Sequence, residues 1–354
     1  MVVQKNIISI LILFFSINAF AKETLVFAVD IVRHGDRTSV LEIPKAPYKW
    51  AEGTGQLTAL GMQQEFQLGT FLRNKYIHEY NLLPEYYQSG TMFVSSTDHD
   101  RTIVSAQAIL FGLYPLGSGP LLPGADKSAL PSGYQPIPVH IGLSIENEKL
   151  MFEKCAKVAK PYVISRPDWK DKDIRLKSKF KRWNLATGLN FTNVFQLVGL
   201  ADTLYIYQLH HVPMPSELSK QDIEEIITVG QWGRITECKT KEFADFLGRS
   251  MLASVASYIQ KASKHAGPLK YVLFSDHDIT IACVMTLLQK PLDELVPYAA
   301  NLNFALFKTD ANNYLVKISY NGKSVVVPSC DAGGCTLKQF MKLAGHTQSG
   351  SKNG

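Results

Sequence analysis

The run TLVFAVDIV, residues 24–32, is mostly apolar and rich in β-branched side chains, which predicts a buried β-strand. The polar sequence RHGDR, residues 33–37, follows this strand without a break. Arg33 and Arg37 flank a single histidine, His34, and two cations this close together are unfavourable unless an anion lies between them. The run therefore predicts a buried strand that ends in an anion-binding site.

Two further segments repeat this arrangement of a strand followed by polar side chains. Residues 91–96 predict a short strand that leads into TDHDR, and residues 269–278 (LKYVLFSDHD) predict a buried strand with polar residues at its end. Apolar residues recur at helical spacing in 57–77, 100–113 and 241–262. This alternation of strand and helix predicts an α/β fold with at least partly parallel strands. Because ligands bind beyond the carboxyl ends of strands in such sheets, we expect the three polar clusters to converge on one rim.

The middle of the chain interrupts the α/β pattern. Proline and glycine recur through residues 114–138, which predicts a long connection, and residues 145–235 are predicted to be mainly helical. LNFALFKT, NYLVKISYN and KSVVVPS predict a closing set of strands. We therefore predict an α/β domain formed by residues 22–114 and 240–345, an inserted helical cap of residues 115–239, and a disordered tail at 346–354.

The first 21 residues have the features of a secretory signal peptide. Lys5 supplies a positive charge, IISILILFF an apolar segment, and Ala19-Phe20-Ala21 a cleavage site of small residues around one larger one. A membrane span needs about 18 or more consecutive apolar residues, and no later segment has them. We predict a secreted or periplasmic protein without a membrane anchor after signal cleavage.

The chain has a formal net charge of +6, and much of its positive charge lies in one segment. From Lys154 to Arg182 there are eleven Lys or Arg against three Asp, a net of +8. The segment is interpreted either as a solvated helical face or as an attractor of anionic substrates or an anionic surface. Nucleic-acid binding is not expected, because no recognisable binding module is present and the chain is predicted to be exported.

The five cysteines predict two disulfides and one free thiol in an oxidising compartment. Cys330 and Cys335 enclose the flexible loop DAGG, which makes them the first predicted pair. Cys155 and Cys238 are the second choice. Cys283 lies in the apolar sequence ITIACVMTLL and is predicted to be a buried free thiol.

The tripeptide Asp-His-Asp occurs at 98–100 and again at 276–278, which raises the question of a metal site. Successive side chains of an extended segment point to opposite faces, so one such tripeptide rarely offers three ligands to one ion. The neighbouring arginines would also repel a cation. A metal site is therefore not expected at either tripeptide.

An oxyanion fits these clusters better. The planar guanidinium groups of Arg33, Arg37 and Arg101 donate paired hydrogen bonds to phosphate oxygens. Gly35 is expected to let the backbone approach the anion closely. His34 is then placed as a nucleophile, and Asp278 as the acid that protonates the leaving oxygen. Thr38 and Ser39 are interpreted equally as pocket residues or as surface turn residues.

Five motifs in order along the chain resemble the histidine acid phosphatases, the acid phosphatase and phytase branch of the histidine phosphatase superfamily. They are RHGDR, GQLTALGMQQ (55–64), STDHDRT (96–102), QPIPVH (135–140) and SDHD (275–278). LVPYAANLNFAL and VPSCDAGGCTLKQF, near the C-terminus, are similar to the prostatic-type members. The resemblance covers most of the chain after the predicted signal peptide.

The resemblance implies a mixed central sheet flanked by helices, with an inserted mainly helical cap and a site between the two. It implies that His34 forms a phosphohistidine, that Asp278 donates a proton to the leaving alcohol, and that Asp36 orders the arginines. The residues implied to bind the phosphoryl group are Arg33, Arg37, Arg101 and His277. The resemblance implies no metal or other cofactor, small phosphorylated substrates as partners, and a homodimer. From the residues themselves, NFALF (303–307) and the adjoining strands are interpreted as a sheet edge through which two chains pair.

An acidic pH optimum is also expected, because neighbouring cations lower the pKa of an Asp donor below its ordinary ~3.9. This sequence departs from the family pattern at Asp276, where relatives often carry a small residue. Its carboxylate is interpreted as raising the pKa of His277 or, preferably, as pointing away from the site.

Three alternatives stay open at this point. A phytase or sugar-phosphatase specialist of the same family is favoured to some extent by the basic segment. A phosphoglycerate mutase-like enzyme fits an exported chain less well. A non-catalytic binder of phosphorylated ligands would need the arginines but neither His34 nor Asp278.

Overall fold

Strand β1 (Glu23–Arg33) lies inside an eight-stranded sheet and is buried along most of its length. It pairs in parallel with β4 (Tyr271–Asp276) and antiparallel with β5 (Asn301–Thr309). Strand β2 (Met92–Ser96) continues the sheet parallel to β4. The sheet is therefore mixed, as predicted, and its longest strand delivers the RHGDR sequence to a central position.

The computed structural model describes residues 23–142 and 145–345, so the predicted signal peptide and tail lie outside the described residues. The order of strands across the sheet is β3-β2-β4-β1-β5-β6-β7, with β8 beside β6. The remaining strands are β3 (His140–Ile141), β6 (Tyr314–Tyr320), β7 (Lys323–Ser324) and β8 (Cys335–Thr336). The helices are α1 (Ala59–Arg73), α2 (Asp100–Leu113), α3 (Ile145–Val158), α4 (Lys160–Ser165), α5 (Pro167–Thr187), α6 (Val194–Leu209), α7 (Lys220–Lys239), α8 (Lys241–Lys264), α9 (Asp278–Leu287) and α10 (Leu337–Leu343).

The strand register brings the three polar clusters to one rim of the sheet. Arg33 at the end of β1 is opposite Asp276 at the end of β4, and Ser96 at the end of β2 is opposite Ser275. The backbone N–H of His34 donates to the Asp276 carbonyl at 3.0 Å, which continues the β1–β4 pairing past the strand. The convergence expected from the strand-end pattern is therefore present in the fold.

Five helices, α3 to α7, occupy the chain between β3 and α8. They pack onto the sheet rather than forming a separate core, because Trp169, Trp183 and Leu204 belong to the same apolar cluster as Phe27 and Ile31 of β1. Side chains fix two of the helix starts: Asn193 accepts from the third residue beyond it at α6, and Ser219 does so at α7. The exact boundaries of the inserted cap stay a prediction.

Two predicted elements differ from the structure. The helix predicted to run to residue 77 ends as α1 at Arg73 and continues as one π-helical turn over Asn74–Glu79. The strand predicted for KSVVVPS pairs only at Lys323–Ser324, and Pro328 has no backbone N–H with which to extend a ladder.

The NFALF segment is not at a sheet edge. Residues 303–307 lie inside β5, which pairs with β1 on one side and β6 on the other, and all five are buried. A strand with both sides paired has no free backbone groups for a second chain. The predicted pairing of two chains through NFALF is therefore wrong.

The cysteines form one of the two predicted disulfides. Cys330 and Cys335 are bonded, whereas Cys155 and Cys238 are free and buried. The second pair is wrong because Cys238, near the end of α7, hydrogen-bonds to Cys283 of α9 instead. That hydrogen bond and burial raise the pKa of the Cys238 thiol well above its ordinary value. Cys283 is a buried free thiol, as predicted.

Helices α1 and α2 cross with their backbones in close contact, and two glycines permit this crossing. A Cβ atom on Gly69 would lie 2.1 Å from the Ile109 carbonyl oxygen, and one on Gly112 would lie 2.3 Å from the Phe66 carbonyl oxygen. Backbone atoms cannot yield as a flexible side chain can. The crossing holds α2 in place, and the first turn of α2 carries Arg101.

We expect Gly69→Ala to destabilise the fold, because the added methyl group forces α1 and α2 apart. Overpacking of this kind costs about 1–3 kcal/mol, which lowers the melting temperature by roughly 2–4 °C per kcal/mol. Calorimetric unfolding of the purified protein measures this change. Gly267→Ala is the matched control, since a Cβ there meets nothing within 4 Å. Equal melting temperatures for both variants would contradict the account.

Candidate active site

Arg33, the last residue of β1, is held from three sides. Its Nη1 donates to the Val296 carbonyl, its guanidinium lies 4.1 Å from the centre of the Tyr298 ring, and its Nη2 is 3.9 Å from the Asp278 carboxylate. Its Nε is buried and has no hydrogen-bond partner among the described residues. A buried donor of this kind is costly, so an acceptor is expected to complete it.

His34 is buried beside Arg33, with its ring 5.5 Å from that of His277. Its Nδ1 lies 2.8 Å from the Gly35 carbonyl oxygen. Because a carbonyl only accepts, Nδ1 carries the proton and the lone pair is on Nε2. Burial, and next the charge of Arg33, lower the pKa of His34 well below its ordinary value of 6.5. His34 is therefore a neutral imidazole with a free ring nitrogen, which is the nucleophilic state.

Arg37 is fixed by helix α6. Its Nη2 donates to both carboxylate oxygens of Asp202, at 3.0 and 3.2 Å, and its Nη1 donates to the Thr38 carbonyl at 3.1 Å. Its Nε is buried without a partner among the described residues, as is that of Arg33. The two arginines of the RHGDR sequence thus each keep one buried N–H for an anion.

The second cluster contributes from the start of α2. Arg101 lies in the first turn of this helix, and its charge lowers the pKa values of both His34 and His277. Thr97 places its hydroxyl oxygen 3.1 Å from His277 Nε2, and the His99 ring lies 5.3 Å from that of His277. Three cations therefore act on one small volume around His34.

The third cluster is organised by helix α9. His277 is its N-cap residue and Asp278 lies in its first turn. Burial and the charge of Arg101 lower the pKa of His277 well below its ordinary value. At Asp278 burial alone would raise the pKa, but Arg33 and Arg234 with the other neighbouring positive groups hold it well below the ordinary range. The Asp278 carboxyl is therefore ionised before substrate binds, as expected from its surroundings.

The Asp276 carboxylate accepts hydrogen bonds from the first residues of α9 and its N-cap. Its Oδ1 accepts from the His277 backbone N–H at 2.8 Å and from the Thr280 hydroxyl at 2.7 Å. The pKa of His277 is lowered, not raised. The observed contacts of Asp276 are therefore with the first turn of α9, and the surroundings of His277 on balance lower its pKa.

A glycine is needed at position 35 for a different reason from the expected close approach of the backbone to an anion. A Cβ atom there would lie 2.4 Å from the Gly61 carbonyl oxygen, so the glycine lets the RHGDR loop pack on the start of α1. Thr38 and Ser39 are buried supports of the same loop. The Thr38 hydroxyl donates to the Gly53 carbonyl at 2.7 Å, and the Ser39 hydroxyl accepts from Trp50 Nε1 at 2.9 Å. Neither is a surface turn residue.

Asp36 does not contact the arginines as expected. Its Oδ2 accepts from the Thr58 hydroxyl at 2.6 Å and lies 2.8 Å from His210 Nε2. His210 follows the last turn of α6, so this helix reaches the RHGDR loop at two points, Asp202 on Arg37 and His210 on Asp36. Neither His210 nor Asp202 was predicted from the sequence to lie near this loop.

Sequence reasoning also missed Arg234 and Tyr298. Both line the cavity in front of Arg33, and Arg234 is ion-paired with Glu237 at 2.5 Å. Tyr298 lies in the LVPYAANLNFAL segment quoted for the family resemblance, which was a usable indication. Arg234 had no such indication, because it is one charged residue in a polar helix.

In residues 23–142 and 145–345, no group of three or more His, Cys, Asp or Glu side chains is arranged to hold a metal ion. The two Asp-His-Asp tripeptides instead divide their side chains among different partners, as Asp100 and Asp276 show. Asp100 accepts from Gln56 at 2.9 Å, whereas Asp276 accepts from Thr280.

Comparison with known proteins agrees with this geometry. Residues 24–150, which include RHGDR and STDHDRT, match the family model of the histidine phosphatase superfamily (branch 2). Lysosomal acid phosphatase of Bos taurus is 29% identical over 337 residues, 90% of this chain and 77% of that protein. Over most of its length the chain is thus similar to acid phosphatases, and its N-terminal part matches branch 2 of the histidine phosphatase superfamily.

Two human acid phosphatases are also similar to most of the chain. Testicular acid phosphatase of Homo sapiens is 29% identical, covering 92% of this chain and 80% of that protein. Prostatic acid phosphatase of Homo sapiens is 26% identical, covering 93% and 86%. The predicted resemblance to the acid phosphatases of this superfamily is therefore confirmed.

Solved phytase structures share the fold. Klebsiella sp ASR1 phytase aligns with a TM-score of 0.63 over 92% of this chain and 96% of that chain, at 13% identity. Hafnia alvei phytase in its apo form aligns with a TM-score of 0.63 over 93% and 98%, at 16% identity. At these identities the likeness concerns the fold alone, and it confirms the predicted mixed sheet flanked by helices.

Proposed function

We propose that this histidine phosphatase hydrolyses phosphate monoesters in an acidic medium. The observation that carries the proposal is His34, a neutral imidazole with a free Nε2, in a site where Arg33 and Arg37 each keep a buried Nε–H without a partner. A phosphoryl group supplies acceptors for both donors and an electrophile for the histidine. The acid phosphatase names of the relatives support the same activity.

In the first step, His34 Nε2 attacks phosphorus as the ester P–O bond breaks. Arg33, Arg37, Arg101 and His277 are proposed to hold the phosphoryl oxygens and stabilise their charge in the transition state. Asp278 gives its proton to the leaving oxygen, so the alcohol departs neutral. The products of this step are the free alcohol, a phosphohistidine and the Asp278 carboxylate.

In the second step, water attacks the phosphohistidine. The Asp278 carboxylate takes a proton from this water, the N–P bond breaks, and inorganic phosphate leaves. His34 returns to its starting state, with its proton still on Nδ1. The charge that a metal ion neutralises in other phosphatases is here neutralised by guanidinium groups, so the proposed reaction uses no metal or other cofactor.

Activity is expected to decrease as pH rises. Asp278 must be protonated to act as a donor; its pKa is held low in the empty site and is raised by the negative charge of a bound phosphate. His34 stays neutral in acid, because its own pKa is well below 6.5. We expect kcat/KM for an aryl phosphate to be at least about 10-fold higher at pH 5 than at pH 8, with no loss in EDTA.

An optimum above neutrality would contradict Asp278 as the donor, and loss of activity in EDTA would contradict the metal-free reaction. Heat-treated protein, assayed in parallel, gives the background at each pH.

A secreted or periplasmic location is part of the proposal. The predicted signal peptide supports it, and relatives of this chain include proteins named lysosomal acid phosphatase. In the described residues no helix is long and apolar enough to cross a membrane. Detection of the protein in culture medium or osmotic-shock fluid, with residue 22 at its N-terminus, is the expected result.

The family resemblance also supports a homodimer, although not one that pairs through NFALF. Light scattering after size-exclusion chromatography measures the mass in solution, and about twice the mass of the mature chain is expected.

A further inference from the structure

The cavity in front of Arg33 and Arg37 indicates which kind of alcohol the substrate contains. It measures about 720 Å³ and is bounded by the RHGDR loop, α6, α7 and residues 295–298. Much of its wall is apolar, including Val40, Leu60, Val198, Tyr205, Leu209 and Leu295. Val40 is 55% exposed and Leu60 44%, so a ligand that covers them gains apolar burial. The alcohol part of the substrate therefore meets an apolar and aromatic surface.

The positively charged side chains that line the cavity are all close to carboxylates. Three cations line it, and each is faced by a carboxylate: Arg33 by Asp278, Arg37 by Asp202, and Arg234 by Glu237. The described lysines and arginines of the basic segment 154–182 do not line it. One phosphoryl group has the partners assigned above, but a second one would meet no unpaired cation in the described wall.

Two carboxylates, Asp202 and Asp278, border the described wall of the cavity, and only Asp278 is assigned to proton transfer. Both oxygens of Asp202 contact Arg37 Nη2, the Asp202 side chain is 32% exposed, and the exposed part borders the cavity. A phosphoryl oxygen on the free Nε of Arg37 would share one guanidinium with this carboxylate. Asp202 is therefore close enough to act on charges attached to the substrate.

We infer that Asp202 sets the substrate class of this site: monophosphates of apolar alcohols, neutral or carrying a cation near the phosphate, with polyphosphorylated substrates excluded. The inference rests on the proposed function and makes it more specific. A second phosphate near the mouth of the cavity is repelled by Asp202, whereas an ammonium group there pairs with it. The apolar wall favours an aromatic or aliphatic alcohol over a polyanionic one.

The test uses two pairs of substrates, in each of which one member carries an additional charged group, and it compares the wild type with Asp202→Asn. Fructose 6-phosphate and fructose 1,6-bisphosphate form one pair; phenyl phosphate and 4-(aminomethyl)phenyl phosphate form the other. We expect the wild type to prefer the monophosphate, and Asp202→Asn to reduce the ratio of the two kcat/KM values on the order of 10-fold. The preference for the aminomethyl compound over phenyl phosphate is expected to fall in the same variant.

Ratios are used because Asp202 also positions Arg37, so that absolute rates are expected to change as well. Asp202→Glu keeps the charge and is expected to retain most of both preferences. Asp171→Asn removes the same charge from an exposed ion pair on α5 and is expected to leave both ratios as in the wild type.

Unchanged ratios in Asp202→Asn would overturn the inference, as would a wild type that prefers the bisphosphate. In either case turnover itself would still support the proposed phosphatase. Failure of the wild type to hydrolyse any of the four compounds would instead overturn the proposed function. The two failures are therefore distinguishable.

Discussion

Replacement of His34 by alanine is expected to abolish turnover while leaving phosphate binding largely intact. The variant loses the ring nitrogen that attacks phosphorus, but Arg33 and Arg37 keep their buried donors. Loss of a nucleophile costs at least about 10⁴-fold in kcat. Initial rates with an aryl phosphate and equilibrium binding of inorganic phosphate measure the two quantities separately.

A trapped intermediate makes this test sharper. Rapid quenching of the wild type in alkali after mixing with a ³²P-labelled substrate is expected to yield labelled protein, whose label is stable in base and lost in acid, as phosphohistidine requires. His34→Ala is expected to yield none. His78→Ala is the matched control, since His78 has a half-exposed side chain near Glu85 and is expected to behave as the wild type.

The same experiment separates an enzyme from a binder of phosphorylated ligands. If the wild type binds phosphate but forms no phosphohistidine and releases no alcohol, the non-catalytic alternative is correct. If His34→Ala keeps wild-type turnover, the assignment of the nucleophile is wrong.

Replacement of Asp278 by asparagine is expected to lower kcat, and the decrease is expected to be larger for substrates whose leaving group needs a proton. An alkyl alcohol needs a proton as it departs, so kcat for an alkyl phosphate is expected to fall about 10²–10⁴-fold. Nitrophenolate leaves without protonation, so the first step with 4-nitrophenyl phosphate is expected to lose much less. Stopped-flow measurement is expected to show a burst of nitrophenolate close to the enzyme concentration, because the second step now lacks its base.

Asp276→Asn is the matched control for this prediction. It makes the same chemical change two residues earlier, at a carboxylate that accepts from the His277 N–H and from Thr280. Any loss there is expected to be equal for alkyl and nitrophenyl substrates, since Asp276 is not the donor. An equally uniform loss in Asp278→Asn would contradict the proposed role of Asp278.

The sequence by itself was sufficient to predict the rim on which the site lies. RHGDR and SDHD each follow a run that can only be buried, and parallel strands bring such ends together whatever the rest of the chain does. The residues proposed for catalysis and phosphate binding all lie in these two clusters or in STDHDRT, which begins at the last residue of strand β2. Their local context carried the information, because a strand fixes the direction of the residues that follow it.

Local sequence patterns did not predict the contacts between residues that are far apart along the chain. Asp202 contacts Arg37 across 165 residues of sequence, and neither position indicates the other. The same holds for His210 on Asp36 and for Cys238 beside Cys283. These contacts depend on how α6, α7 and α9 pack, which is set by the shape of whole helices and not by the spacing of a few residues.

Gly35 shows what the sequence predicts and what only the packing decides. The sequence required a residue without a side chain within an arginine-rich turn, and that requirement is present in the structure. Only the tertiary structure showed that the space is taken by the backbone of Gly61 and not by a phosphate. A sequence determines which chemical groups follow a strand, because that information is local; packing decides what each group faces, because the partner comes from elsewhere in the chain.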